Sequence, residues 1–196
     1  MQDGVPGTSI ISSENPAVPF GPVLTGWQSI GGAMLSLDRL HPLSEALPTA
    51  MQVTIPSNVT GEIGFLNYGW WGMDVSPQMY NASFYVLANG PTDAANLTGV
   101  DISLRSNLTS DIWISNRIPV QNLSDFRYTQ FASTLVNNVT APNSNNTFAV
   151  TFNATEVAGS TFYFSLISLF GETYKTGRMG YVRIWARTSK ISIPGF

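Results

Sequence analysis

An all-β fold, a jelly-roll β-sandwich of the galactose-binding-like or carbohydrate-binding-module type, is predicted for this chain of 196 residues. Apolar and polar residues alternate with period two over about nine short runs, the pattern of strands with one face inward and one outward. Clusters of turn-forming residues separate the runs, among them Pro56-Ser57-Asn58, Asn89-Gly90-Pro91 and Asn143-Ser144-Asn145-Asn146. The last run is apolar on both faces, as expected of a central strand covered on both sides.

Residues 1–25 carry Pro6, Pro16, Pro19 and Pro22 among Gly and Ser, and read as an extended arm or linker. Alternation begins at Trp27. Ala33, Leu35 and Leu37 take turns with Met34, Ser36 and Asp38, and Met51, Val53 and Ile55 with Gln52 and Thr54. Further strands are expected over Gly61–Asn67, Tyr80–Ala88, Val100–Ser106, Asp111–Val120, Phe126–Thr134, Thr147–Asn153 and Thr161–Phe170. Strict alternation in the last of these puts Phe162, Phe164, Leu166 and Phe170 on one face, and Ile167 and Leu169 on the other. A short helical turn is expected over His41–Leu47, ended by Pro48. The sandwich is assigned to 26–174, and 175–196 to a poorly ordered tail.

Composition narrows the function. Charged residues make up 11% of the chain, against about 25% in an ordinary soluble domain, so the surface is polar through Asn, Ser and Thr. A net charge of -3 argues against a nucleic-acid partner. The absence of cysteine removes disulfides, zinc–thiolate sites and thiol nucleophiles. No run is long and apolar enough to span a membrane.

Eight Asn-x-Ser/Thr triplets begin at Asn58, Asn81, Asn96, Asn107, Asn122, Asn138, Asn145 and Asn153. They read as N-glycosylation acceptors of a secreted glycoprotein, or as Asn and Thr that decorate turns and outward strand positions. The start, Met1-Gln2-Asp3-Gly4-Val5-Pro6-Gly7, lacks the basic and apolar segments of a signal peptide. A secreted-looking body with that start is expected of a fragment or an incomplete gene model.

No catalytic residue is assigned. Glycoside cleavage uses two flanking carboxylates, whereas Asp38, Glu62, Asp74, Asp101, Asp111 and Glu156 stand singly at strand ends or in turns. The lone His41 precedes Pro42 and reads as a turn residue, with no ligand set around it. No cofactor and no metal is expected. The candidate contact with a partner is Asn67-Tyr68-Gly69-Trp70-Trp71-Gly72-Met73. Tyr68, Trp70 and Trp71 offer flat rings for the apolar face of a sugar, and the glycines allow close backbone approach. Alternatively, the Trp pair fills the open end of the sandwich or packs on a neighbouring domain. Trp27 and Trp113 are also available, Trp113 being out of phase with Ile112 and Ile114 and so expected on the exposed side.

Six phrases in order carry a resemblance: Gly26-Trp27-Gln28-Ser29-Ile30-Gly31, Pro42-Leu43-Ser44-Glu45-Ala46-Leu47-Pro48, Gly61-Glu62-Ile63-Gly64-Phe65, Gly69-Trp70-Trp71-Gly72-Met73, Tyr80-Asn81-Ala82-Ser83-Phe84-Tyr85-Val86 and Val157-Ala158-Gly159-Ser160-Thr161-Phe162-Tyr163-Phe164. Over about residues 20–174 the chain resembles the accessory β-sandwich of fungal α-L-arabinofuranosidases of glycoside hydrolase family 51. The resemblance implies an extracellular parent enzyme acting on arabinose-containing plant polysaccharide. It places the two catalytic glutamates in a (β/α)8 barrel that follows the sandwich, matched by no residue here. Related modules bind a structural calcium through an acid on a late strand, where this chain has Ser165.

The family's barrel opens with Arg-Pro-Asn-Gly-x-Arg-x-Asp-Leu. This chain reads Thr176-Gly177-Arg178-Met179-Gly180-Tyr181-Val182-Arg183-Ile184-Trp185-Ala186 instead, and five of its nine basic residues fall at or after Lys175. Permitted codons for this stretch, read from the third base, encode Arg-Pro-Asn-Gly-Ile-Arg-Ala-Asp-Leu. The expectation is a change of frame or a mis-set exon boundary near Lys175. The chain then carries the non-catalytic sandwich of such an enzyme; a stand-alone carbohydrate-binding module and a purely structural domain are the alternatives.

Overall fold

The computed structural model describes residues 24–69, 72–90, 95–121, 123, 125 and 127–172. Most of the expected arm and the whole of the expected tail from 175 lie outside them. Among the described residues ten strands run β1 (Trp27–Ile30), β2 (Met34–Asp38), β3 (Ala50–Thr54), β4 (Glu62–Asn67), β5 (Gln78–Ala88), β6 (Gly99–Ser106), β7 (Ile112–Pro119), β8 (Thr129–Asn137), β9 (Asn146–Asn153) and β10 (Thr161–Phe170), with a helical turn α1 (Ala154–Val157) before the last. They form two five-stranded sheets, β1-β4-β9-β6-β7 and β2-β3-β10-β5-β8. Every pairing is antiparallel. Only β2–β3 and β6–β7 are sequence neighbours within one sheet; every other connection crosses between sheets. The fold is an all-β sandwich, as the alternation predicts.

Period-two patterning places the core between the sheets. Ile63, Phe65, Ile102, Leu104, Phe148, Val150 and Phe152 from the first sheet meet Met51, Val53, Phe84, Val86, Phe162 and Phe164 from the second. Phe164 lies at the centre, with ring centroids 4.8 Å from Phe65, 5.9 Å from Phe84 and 6.1 Å from Phe152. None of these pairs is a face-to-face sandwich, consistent with the quadrupole of an aromatic ring.

Alternation along β10 fails in one place. Between Ser165 and Ser168 the register with β5 slips, so Leu166 and Ile167 stand opposite Phe84 alone. Leu166 takes φ 49°, the left-handed region unusual for a branched side chain. The extra residue reverses the phase. Ile167, not Leu166, enters the core; Leu169 packs against it, and Phe170 turns outward. The expected grouping of Phe162, Phe164, Leu166 and Phe170 is therefore corrected after Phe164.

β10 is central, and it is covered on its outer side only in part. The β2–β3 connection folds over that face. His41 stacks on Tyr163 with centroids 3.9 Å apart, and the Tyr128 hydroxyl donates to the His41 carbonyl at 2.6 Å. Burial, with Asp38 nearby, raises the pKa of Tyr128 above the usual tyrosine range. Cover is lost toward Phe170. His41–Leu47 is not helical: a Ser44–Leu47 bridge and a Leu47 N–H bond to the Ser44 carbonyl make it a turn between two prolines. The helical turn present is α1, capped by Asn153, whose Oδ1 accepts from Thr155 N.

Candidate functional site

The β4–β5 connection crosses from the first sheet to the second at the end of the sandwich where the described chain both begins and finishes. Its geometry is set on both sides of Trp70 and Trp71. On one side, buried Asn67 accepts the Gly69 N–H at 2.8 Å, and the Tyr68 N–H reaches the Gly26 carbonyl. On the other, the Met73 N–H bonds to the Ser144 carbonyl at 2.7 Å. Gly69 (φ 68°) and Gly72 (φ 89°) both adopt the left-handed region. A Cβ on Gly72 would stand 2.3 Å from the Ser144 carbonyl oxygen, so only glycine permits this contact.

Behind the loop, Asn146 is fully buried and saturated. Its Nδ2 donates to the carbonyls of Met73 (2.8 Å) and Asn143 (2.7 Å), and its Oδ1 accepts from Trp113 Nε1 at 2.7 Å. The loop therefore has a rigid seat. Tyr68 is half-buried on it; Trp70 and Trp71 lie outside the described residues. Trp27 and Trp113, also read as available, are corrected. Trp27 is buried edge-on against Phe65 at 5.6 Å, and Trp113 is half-buried against the core with its indole N–H engaged by Asn146, so neither is an exposed platform. Sequence reasoning missed Asn146, although its spacing of two from Phe148 puts both on the inward phase of β9.

The acids are less scattered than the sequence implied. Arg105 holds Glu62 with two parallel bonds at 2.9 and 2.7 Å, while Thr151 donates to the same carboxylate at 2.8 Å. The Arg105 bonds, opposed by burial and aided by Thr151, hold Glu62 below the usual carboxylate range. Arg117 draws Asp101 and Glu156 together, bonding both. Burial pushes Glu156 up, but Thr98, which donates from its N–H at 2.8 Å and its hydroxyl at 2.9 Å, together with Arg117, outweighs this and leaves it lowered. A general acid for glycoside cleavage needs the opposite shift. Each of these three carboxylates is held by an arginine. Asp38 accepts the His41 N–H at 2.7 Å and lies 3.2 Å from its Nδ1.

Among the described residues no group of three His, Cys, Asp or Glu side chains could hold a metal ion. Ser165 is buried beside a pocket of about 30 Å³ lined by Leu24, Trp27, Met51 and Leu166. Its hydroxyl has no hydrogen-bond partner among the described residues, and this lining gives a cation no carboxylate. Seven of the eight triplet asparagines, all but Asn122, fall among the described residues, and all seven are exposed. No described helix is long and apolar enough to cross a membrane.

No family model matches the chain. It is 30% identical over 168 residues to α-L-arabinofuranosidase A of Aspergillus niger, a match covering 85% of this chain and 26% of that one. With α-L-arabinofuranosidase A of Aspergillus kawachii it shares 30% over 159 residues, 81% of this chain and 24% of that one. The chain thus spans about a quarter of the length of these relatives. Of solved structures, the arabinose-bound MgGH51 α-L-arabinofuranosidase matches with a TM-score of 0.72 at 30% identity, over 78% of this chain and 24% of that one. A CBM4 structure matches with a TM-score of 0.52 at 15% identity, over 76% of this chain and 96% of that one, a likeness of fold alone. The chain is a relative of the fungal α-L-arabinofuranosidases of glycoside hydrolase family 51, and what it shares with them is their accessory β-sandwich.

Proposed function

We propose that this sandwich is the non-catalytic module of a secreted, N-glycosylated α-L-arabinofuranosidase, and that it positions arabinose-bearing plant polysaccharide for a barrel that carries the chemistry. The similarity to about a quarter of Aspergillus arabinofuranosidases carries this reading. The pinned Asn67–Met73 connection supports the binding role, since a seat held at both ends limits the ordering cost of contact with a ligand. Tyr68, Trp70 and Trp71 are proposed to stack on sugar rings. The ion-paired state of Glu62, Asp101 and Glu156 supports leaving bond cleavage to the barrel. Seven exposed triplet asparagines support export and glycosylation.

Titration with arabinoxylan and arabinan, followed by tryptophan fluorescence, tests the binding role. Saturable binding is expected, weakened at least tenfold in Trp70→Ala and Trp71→Ala. Undiminished binding in both variants removes the loop from the site. No binding of either polymer leaves the sandwich a structural support for the barrel.

A further inference from the structure

The outer face of the second sheet carries apolar side chains around one acceptor triplet. Asn81 sits inside β5, paired directly with Phe170 of β10 on one side and Thr134 of β8 on the other. In the next row, Met79 pairs with Val136. Phe170 is 44% exposed, Met79 46% and Val136 60%, and Asn81 is exposed between them. Bare apolar groups in adjoining rows of a sheet invite contact with a second sheet. The Thr134 hydroxyl donates to Asn81 Oδ1 at 2.8 Å, so the amide oxygen, and not Nδ2, is the atom engaged by β8.

We propose that Asn81 bears an N-linked glycan whose first N-acetylglucosamine lies on the Phe170 ring. The inference rests on the secreted reading above. In the modification Asn81 Nδ2 bonds to the anomeric carbon of an oligosaccharide carried on a polyprenyl pyrophosphate. The bond from that carbon to the pyrophosphate oxygen breaks, the pyrophosphate leaves with the electron pair, and Nδ2 releases one proton. Oδ1 still accepts from Thr134, so the amide keeps its orientation. Directly paired residues hold their Cβ atoms roughly 4.5–5.5 Å apart, which puts a sugar joined to Nδ2 within reach of the ring. The C–H face of the sugar then meets the face of the aromatic.

Asn81 is singular among the seven described acceptors. Asn58, Asn96, Asn107, Asn138 and Asn145 lie outside the strands, and Asn153 ends β9 opposite Glu62, where it caps α1. Asn81 alone of these has an aromatic strand partner.

The test uses the full chain secreted from a fungal host behind a leader peptide. Glycopeptide mass mapping is expected to find Asn81 occupied. Trimming to the first N-acetylglucosamine leaves Tm unchanged. N81Q lowers Tm by about 2–4 °C and promotes self-association, whereas N81Q in the F170A background unfolds with F170A alone. An unmodified Asn81 among filled acceptors overturns the proposal and spares the secreted reading. An occupied Asn81 whose loss shifts Tm equally with or without Phe170 overturns the stacking. If every acceptor is bare, the secreted reading fails as well.

Discussion

Ile167→Ala and Leu166→Ala should differ sharply, and in the sense opposite to simple alternation along β10. Ile167 is buried in the core, and its truncation removes three carbons from an enclosed site. At roughly 0.8 kcal/mol per buried methylene, with a term for the cavity left behind, the loss is about 2–4 kcal/mol. Leu166 is half-buried beside a pocket already about 30 Å³ in volume, so its truncation encloses no new void. Its loss is about 1 kcal/mol. Leu166→Gly separates the backbone from the side chain. At φ 49° a branched residue is strained by about 1–2 kcal/mol, which glycine relieves, so Leu166→Gly is expected to be no worse than Leu166→Ala. Urea unfolding of the three variants measures the differences. For a chain of this length the Ile167 variant should melt about 5–15 °C below the parent. Equal losses at the two positions, or a greater loss at Leu166, would refute the phase reversal.

Acid should destabilise the sandwich through Glu62. Its folded pKa is depressed, so its contribution is complete above the unfolded value of about 4.5 and disappears as pH falls through the folded one. Melting curves from pH 6 to pH 3 should accordingly be flatter in Glu62→Gln than in the parent below about pH 4.5; the same slope in both would deny the role. Trp113→Phe removes the donor to the buried Asn146 Oδ1 and should lower the unfolding free energy by about 1–3 kcal/mol, with a change under about 0.5 kcal/mol counting against the pinned seat. Sequencing of the transcript across the Lys175 codon is expected to find the family's barrel opening in a shifted frame, and finding it in no frame refutes that expectation.

Strand-level structure was legible because one face of each run is greasy and the other is not. The inward residues of β3, β5 and β9 follow from Met51, Val53, Phe84, Val86, Val150 and Phe152 alone. The sequence was silent where a single backbone torsion decides the outcome. Nothing local marks Leu166 as left-handed, and that torsion turns Phe170 outward beside Asn81. β8 was expected over Phe126–Thr134 and lies at Thr129–Asn137, a shift that leaves Tyr128 outside the strand. Long-range pairs were hidden for a different reason: Arg117 meets Glu156, and His41 meets Tyr163, across separations that no periodicity encodes. The loop's glycines were read as allowing close approach to a ligand, whereas the approach that Gly72 makes is to the protein's own backbone at Ser144.

The claim that the sandwich binds and does not cleave is tested most directly by incubating the purified chain with an aryl α-L-arabinofuranoside alongside the arabinan titration. Retained arabinan binding with no release of the aryl alcohol above the uncatalysed rate is the predicted result. Turnover by the chain that is abolished in Glu156→Gln or Asp101→Asn would contradict it, because those two carboxylates on Arg117 would then be working as a catalytic pair.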